Sequence, residues 1–208
     1  MPVVTGVAER RDSRVRIFVD GEFWAELDSG VAVERGLFEG AVLSQARLAE
    51  ARVAGEKSLA MNRALSILGY RARAKGELRE RLGRAGYAGE TVAVVVARLE
   101  ELGYLDDEEF ARSLAREEAH KKYGPRRILG DLRRAGVDEE VAREAVDEEF
   151  AERSEYQTAL AIARRRYNKD EEGSDAQARR VYGFLMRRGY SADVCAEVAR
   201  GYRQETGE

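Results

Sequence analysis

Two hydrophobic periods divide the chain. Between residues 14 and 27 the sequence reads RVRIFVDGEFWAEL. Val15, Ile17 and Val19 alternate with Arg14, Arg16 and Phe18, and after Asp20-Gly21 the residues Phe23, Ala25 and Leu27 alternate with Trp24 and Glu26. Period two sends successive side chains to opposite faces of a strand, and Asp-Gly tolerates the positive φ that a tight turn needs at both central positions. A β-hairpin is therefore predicted here. Val3 to Ala8 supply a candidate third strand. Phe18 and Trp24 fall on the face opposite Ile17 and Val19. Either those rings bind something or a neighbouring element buries them, and burial is the expectation because soluble surfaces seldom leave large apolar patches bare. Gly30, Gly36 and Gly40 punctuate the stretch after the hairpin. From Ser44 to Ala54 the pattern turns helical, with Leu43, Leu48 and Ala51 near one face.

The remainder has a helical period and repeats itself. KGELRERLGRAGY (75–87), PRRILGDLRRAGV (125–137) and ARRVYGFLMRRGY (178–190) align so that Leu78, Ile128 and Val181 correspond, as do Leu82, Leu132 and Leu185, and Gly86, Gly136 and Gly189. The two apolar residues lie four apart on one helix face. A glycine four further on takes the left-handed conformation that ends a helix, and the apolar residue after it (Tyr87, Val137, Tyr190) folds back onto the last turn. Each middle helix has a leading helix (Ala64, Leu65 and Leu68; Phe110, Ala111 and Leu114; Ala159, Leu160 and Ala163). Each also has a trailing one (Val92, Val95, Val96, Leu99 and Leu102; Val141, Ala145 and Val146; Val194 and Val198). Three short helices bury little alone but bury more when stacked, which is the logic of repeat proteins.

The predicted fold is therefore mainly α, an elongated array of three tandem three-helix repeats preceded by a small N-terminal region containing a β-hairpin. The boundaries expected are 1–55 for the β-rich region with a short helix, then 56–105, 106–155 and 156–208 for the repeats. Asp106 caps a helix with Glu109 at its third position, Asp138 caps another, and Gly124-Pro125 starts a third. NKDEEGS (168–174) reads as a polar loop inserted in the third repeat.

Composition narrows the function. Charged residues make up 36% of the chain, against about 25% in an average globular protein, which suits thin helical layers with much solvated surface. No apolar run reaches the ~18 residues of a membrane span, and the N-terminus does not read as a signal peptide. One cysteine, Cys195, excludes an internal disulfide, so a cytoplasmic protein is expected. The net charge is −3 but unevenly spread: 7 basic against 9 acidic residues in 1–55, 9 against 6 in 56–105, 10 against 16 in 106–155, and 10 against 8 in 156–208. Segments of opposite sign fit a partner carrying both signs, such as a protein filament loaded with DNA, although solvated helix faces produce the same pattern.

Four stretches together resemble the RecX family, the bacterial regulators of RecA: ALSILGYRARAKGELRERLGRAGY (64–87), LEELGYLDDEEFA (99–111), YGPRRILGDLRRAGV (123–137) and the weaker FLMRRGY (184–190). The resemblance covers about residues 58 to 203, and the N-terminal hairpin is similar to a β segment of some members. It implies a helical array lying in the groove of the RecA filament on single-stranded DNA. There it would block strand exchange, ATP turnover and repressor self-cleavage, most simply as a monomer. One departure concerns capping. Where the family has Arg-Ser, this chain has Arg73-Ala74, so the N-cap a serine would provide must come from elsewhere or be missing. Gly130 and Gly183 sit inside the second and third middle helices, which either loosens those helices or admits another backbone.

The candidate partner-binding residues are Arg71, Arg73, Lys75 and Arg79 in the first repeat; Lys121, Lys122, Arg126, Arg127, Arg133 and Arg134 in the second; and Arg179, Arg180, Arg187 and Arg188 in the third. Guanidinium groups suit carboxylates and phosphates alike, so contacts with acidic residues of RecA and weak, sequence-independent, salt-sensitive contacts with DNA are expected. Arginines near helix C-termini also complement the dipole, which would account for half of them. Tyr70, Tyr87, Tyr104, Tyr123, Tyr167 and Tyr190 lie near helix ends. They would stack on bases or pack as rings with a wet hydroxyl, and packing is the expectation.

No catalytic constellation is evident, so the chain is read as no enzyme and as needing no cofactor or metal. His120 is the only histidine, Cys195 lies on an apolar helix face, and a phosphate-binding Gly-x-x-x-x-Gly-Lys loop is absent. The carboxylate runs at 106–109, 138–140 and 147–155 lack calcium-loop spacing. Two alternatives stand beside the RecA regulator: a helical protein acting directly on nucleic acid, and a helical scaffold for an unrelated partner.

Overall fold

The computed structural model describes residues 1–167 and 175–202; the expected loop at 168–174 lies outside them. The chain divides into two compact units, one of Met1–Ala72 with Leu78–Leu105 and the other of Arg73–Glu77 with the chain from Asp106 onward.

The first unit opens with strands β1 (Val4–Glu9), β2 (Arg14–Val19) and β3 (Glu22–Asp28), antiparallel in the order β1-β2-β3. Asp20 and Gly21 both hold positive φ, at 51° and 88°, as the hairpin prediction requires. The turn is fastened to β1, because the Val3 amide donates to the Asp20 carboxylate and the Gly21 amide to the Thr5 hydroxyl, each at 2.9 Å. Val15, Ile17, Ala25 and Leu27 are buried together with Leu37, Leu43, Leu48 and Ala51.

The alternation breaks at one place. Ile17 pairs with Ala25 but Phe18 pairs with Phe23, so Trp24 is an extra residue in β3, a β-bulge. The bulge exchanges the faces expected for Phe23 and Trp24. Trp24 packs against the core, whereas Phe23, predicted to lie with Ala25 and Leu27, is 58% exposed and meets Phe18 edge-on at 6.1 Å. Beside this pair Arg14 and Arg16 bridge Glu26 at 3.2 and 3.3 Å. Their hydrogen bonds hold that carboxyl below its ordinary range.

Helix α1 (Ser29–Glu34) is capped by the Asp28 carboxylate. Helix α2 (Gln45–Leu68), capped by Ser44, runs unbroken through residues 55 and 56. Gly55 is needed there, since a Cβ would come within 2.1 Å of the Leu27 side chain. The C-terminal half of α2 forms the first repeat's core with α3 (Lys75–Arg84) and α4 (Gly89–Glu101), burying Ala60, Ala64, Leu78, Leu82, Val95, Val96 and Leu99. Leu65 and Leu102, read as core-facing, are exposed.

The second unit holds α5 (Asp107–His120), α6 (Pro125–Arg134) and α7 (Glu139–Phe150), then α8 (Glu155–Arg166), α9 (Asp175–Arg188) and α10 (Ala192–Gly201). Asp106 and Asp138 cap α5 and α7 through the amides of Glu109 and Glu140. The first turn of α3 belongs here too. Ala74 is fully buried among Ala111, Ala115, Ile128 and Leu132. The Lys75 amide donates to the Asp107 carboxylate at 2.8 Å. The cap that the missing serine would have supplied thus comes from a residue 32 positions away.

All three middle helices end as their sequences predict. Gly86, Gly136 and Gly189 hold φ of 92°, 76° and 85°. Their amides bond to Gly83, Arg133 and Met186, while the amides of Tyr87, Val137 and Tyr190 return to Leu82, Leu132 and Leu185. This pair of bonds is the Schellman motif, repeated three times. Helix α5 ends the same way with a lysine in the glycine position. Lys122 has φ 64°, and the amides of Lys122 and Tyr123 bond to Ala119 and Glu118.

Candidate partner-binding surface

The second and third repeats meet backbone to backbone. At the start of α6 the Gly124 amide donates to the Arg188 carbonyl at 2.8 Å and the Arg126 amide to the Gly189 carbonyl at 3.0 Å. A Cβ on Gly124 would lie 2.4 Å from the Gly189 oxygen, and one on Gly76 would lie 2.6 Å from the Gly136 Cα. The close approach left open for Gly130 and Gly183 therefore falls instead on Gly76 and Gly124. The nearest atoms to a Cβ at 130 and 183 belong to the side chains of Arg134 and Arg187, at 3.9 and 3.3 Å.

The joint gathers the KKYGPRR segment against the end of α9. The Arg188 guanidinium donates to the carbonyls of Lys121 and Lys122 at 3.0 and 3.4 Å. The Tyr190 hydroxyl donates to the Lys122 carbonyl at 3.0 Å, and burial pushes its pKa up to about 12. The Tyr123 ring lies 3.8 Å from the Arg127 guanidinium and 5.2 Å from that of Arg188. Phe184 lies 5.3 Å from Arg188 and 5.0 Å from Arg166, and meets Tyr167 edge-on at 5.8 Å. Five side chains thus alternate, Arg166, Phe184, Arg188, Tyr123, Arg127, across the joint.

The basic residues singled out from the sequence have different surroundings. Arg133 forks onto Glu139 at 2.6 and 2.5 Å. That pairing raises the arginine pKa and lowers the carboxylate's. Arg134 pairs with Asp131. Lys121 bridges Glu117 and Glu118 at 2.7 and 2.8 Å, and these bonds raise its pKa. Arg73 pairs with Glu77 on a side chain only 10% exposed. Arg71 donates to the neighbouring Ala72 carbonyl, Lys75 is half-buried, and Arg179 returns a bond to Asp175 within its own helix. Lys122, Arg126, Arg180 and Arg187 are exposed and make no salt bridge among the described residues. The same is true of Arg79 on α3. Charge-compensated and uncompensated cations are therefore distinct sets, and the sequence shows only their sum.

One residue of the alternating strip, Phe184, was not singled out from the sequence, and Arg166 stood there only as one of the three arginines, Arg164 to Arg166, that end α8. The signal that points to Phe184 is spacing: it sits four residues before Arg188 on one face of α9. Of the tyrosines expected to pack, Tyr87, Tyr123, Tyr167 and Tyr190 do, but Tyr70 and Tyr104 are exposed. Cys195 is buried, and its thiol is pushed up to about 11 by burial. Among the described residues no group of three or more His, Cys, Asp or Glu side chains is placed to hold a metal ion. Among them, too, no helix is long and apolar enough to cross a membrane.

Comparison with known proteins agrees with the repeat architecture. Profiles of the first, second and third three-helix domains of RecX match residues 60–99, 106–146 and 154–198. The Regulatory protein RecX of Bacillus subtilis (strain 168) is 28% identical over 214 aligned positions, covering the whole of this chain and 80% of that protein. The Regulatory protein RecX of Mycobacterium sp. (strain JLS) is 38% identical over 139 positions, covering 64% of this chain and 76% of the relative. A crystal structure described as regulatory protein RecX superposes with a TM-score of 0.65 at 22% identity over 96% of this chain, a likeness of fold. Three matched domains in register with three observed repeats, and relatives of one description, show that the chain belongs to the RecX family.

Proposed function

We propose that this protein binds the filament of its cognate RecA on single-stranded DNA, as a cytoplasmic monomer, and lowers the recombinase, ATPase and coprotease activities of that filament. The observation that carries the reading is the family itself, whose relatives are described as regulatory proteins. The uncompensated cations around the joint of the second and third repeats support an anionic partner, because a charge not already neutralised within the fold is available for carboxylates and phosphates. DNA contact through such groups is sequence-independent and weakens with salt.

The experiment is the single-stranded-DNA-dependent ATPase rate of the cognate RecA titrated with this protein at two salt concentrations. The expected result is a fall in rate at or below stoichiometric protein, weaker at the higher salt. An unchanged rate alongside binding to bare DNA would replace this reading with direct nucleic-acid binding. Charge reversal at Lys122 and Arg126, which make no salt bridge among the described residues, is expected to weaken inhibition more than reversal at Arg133 and Arg134, whose charges Glu139 and Asp131 already offset.

A further inference from the structure

We infer that the strip Arg166–Phe184–Arg188–Tyr123–Arg127 is a preformed seat for the phosphodiester backbone of a single-stranded nucleic acid. The inference rests on the DNA-contact part of the function proposed above and not on recombinase binding.

An arginine held by a carboxylate is oriented but neutralised, whereas one held by an aromatic ring is oriented and keeps its charge and most of its N–H donors. Arg133 and Arg134 are of the first kind. Arg166 and Arg188 share the Phe184 ring at 5.0 and 5.3 Å. Arg188 and Arg127 share the Tyr123 ring at 5.2 and 3.8 Å. Asp131 lies 3.7 Å from Arg127 and is also paired with Arg134, so it offsets Arg127 only in part. Two guanidinium groups drawn to one ring repel each other, and an anion lying between them relieves that repulsion. Two such intervals succeed one another along the strip, so the complementary ligand is a chain of anions rather than a single one. Lys122 and Arg126 add uncompensated charge at its Arg127 end.

A single strand fits better than an acidic protein surface. At 3.8 Å the Arg127 plane is at stacking distance from Tyr123. The Arg127 side chain is 41% exposed, which leaves it accessible to a base, and arginine planes stack on bases in single-strand recognition. A protein carboxylate would make no use of such stacking.

The test measures binding of fluorescein-labelled oligothymidylate to the full chain, without recombinase, as a function of salt. Removing Arg127 and Arg166 together (Arg127→Gln, Arg166→Gln) is expected to flatten the slope of log affinity against log salt by about 0.7 per arginine. Phe184→Leu leaves every charge in place and is expected to weaken binding about two- to fivefold for each cation–π contact it removes. Arg133→Gln with Arg143→Gln, both paired with Glu139, serves as the control and is expected to bind as wild type; circular dichroism confirms that each variant is folded. No binding by the wild type, an unchanged slope in the Arg127/Arg166 variant, or an equal loss in the control would overturn the inference. In a parallel RecA ATPase assay, an Arg127/Arg166 variant that binds the oligonucleotide normally but no longer inhibits would sink this inference and leave the proposed function standing. A wild type that binds the oligonucleotide through the strip but inhibits no recombinase would do the reverse.

Discussion

Alanine at position 124 is the sharpest test of how the repeats are joined. The added Cβ would lie 2.4 Å from the Gly189 oxygen, 2.5 Å from its carbonyl carbon and 2.6 Å from the Tyr190 nitrogen. Ordinary contact begins near 3.4 Å, and every one of these atoms is backbone, so no side chain can swing aside. The start of α6 must back away by about 1 Å, an overpacking strain of about 1–3 kcal/mol. Retreat also stretches the bonds from the Gly124 and Arg126 amides to the Arg188 and Gly189 carbonyls, each worth about 0.5–1.5 kcal/mol. Together these effects give a destabilisation of about 2–4 kcal/mol. Gly130→Ala is the matched control. There the nearest atom to a new Cβ is the tip of Arg134 at 3.9 Å, so the substitution is expected to stabilise the helix by about 0.5–1 kcal/mol. Urea unfolding monitored by far-ultraviolet circular dichroism reads both changes in the helical repeats. Fluorescence of Trp24, the only tryptophan, separately reports the first unit. Gly124→Ala should lower the dichroism midpoint and leave the Trp24 transition in place, and Gly130→Ala should raise the former. A Gly124→Ala protein with the wild-type midpoint, or a Gly130→Ala protein destabilised as much, would refute the argument from close backbone approach.

Local geometry makes three further predictions. Lys122 ends α5 with φ 64°, so Lys122→Gly should relieve about 1 kcal/mol of left-handed strain while removing an exposed cation; a midpoint that fails to rise in urea would count against it. Asp107→Ala removes the acceptor for the Lys75 amide and should cost about 1 kcal/mol, whereas Asp107→Asn keeps an acceptor oxygen and should cost less. Equal losses would show that the cap is not the cause. Burial raises Cys195 from an ordinary 9.0 to about 11. The fold therefore favours the neutral thiol, and this contribution is complete below pH 9.0 and lost as pH rises through about 11. At pH 8, labelling by a disulfide reagent should be slow in the native protein and fast in denaturant, and rapid native labelling would contradict the burial.

Features decided by near neighbours were legible in the sequence. Asp20-Gly21 specifies its turn because both residues tolerate positive φ, and the three helix-ending glycines specify the same two backbone bonds wherever they recur. Features decided across the chain were not. The bulge at Trp24 depends on how β2 and β3 align, and nothing within EFWAELD distinguishes a bulged strand from a regular one that would have buried Phe23. The cap of α3 was legible as an absence, a serine not present at 74. Its replacement is Asp107, a residue that reads from the sequence only as part of an acidic helix start. The interior glycines at 130 and 183 attracted attention because helix propensity makes them conspicuous. The glycines that matter, at 76 and 124, sit at helix starts, where glycine is ordinary and only the approaching backbone gives it a purpose.

The arginines show why the candidate surface was the least legible part. A sequence counts cations, but a polyanion responds to cations that are both held in place and not already neutralised. Arg133 and Arg127 stand six residues apart in one helix and look alike as letters. Glu139, on the next helix, consumes the charge of the first. Tyr123, in the preceding turn, orients the second, and Asp131, 3.7 Å from it, is shared with Arg134. Arg188 has a third fate, since it spends N–H donors on the carbonyls that end α5 and so holds the turn from which Tyr123 projects. Removing Arg188 would therefore change the position of Tyr123 as well as the local charge. A loss of partner binding in such a variant would not identify Arg188 as a contact, whereas the same loss on removing Arg127 or Arg166, whose side chains bond to no backbone carbonyl among the described residues, would.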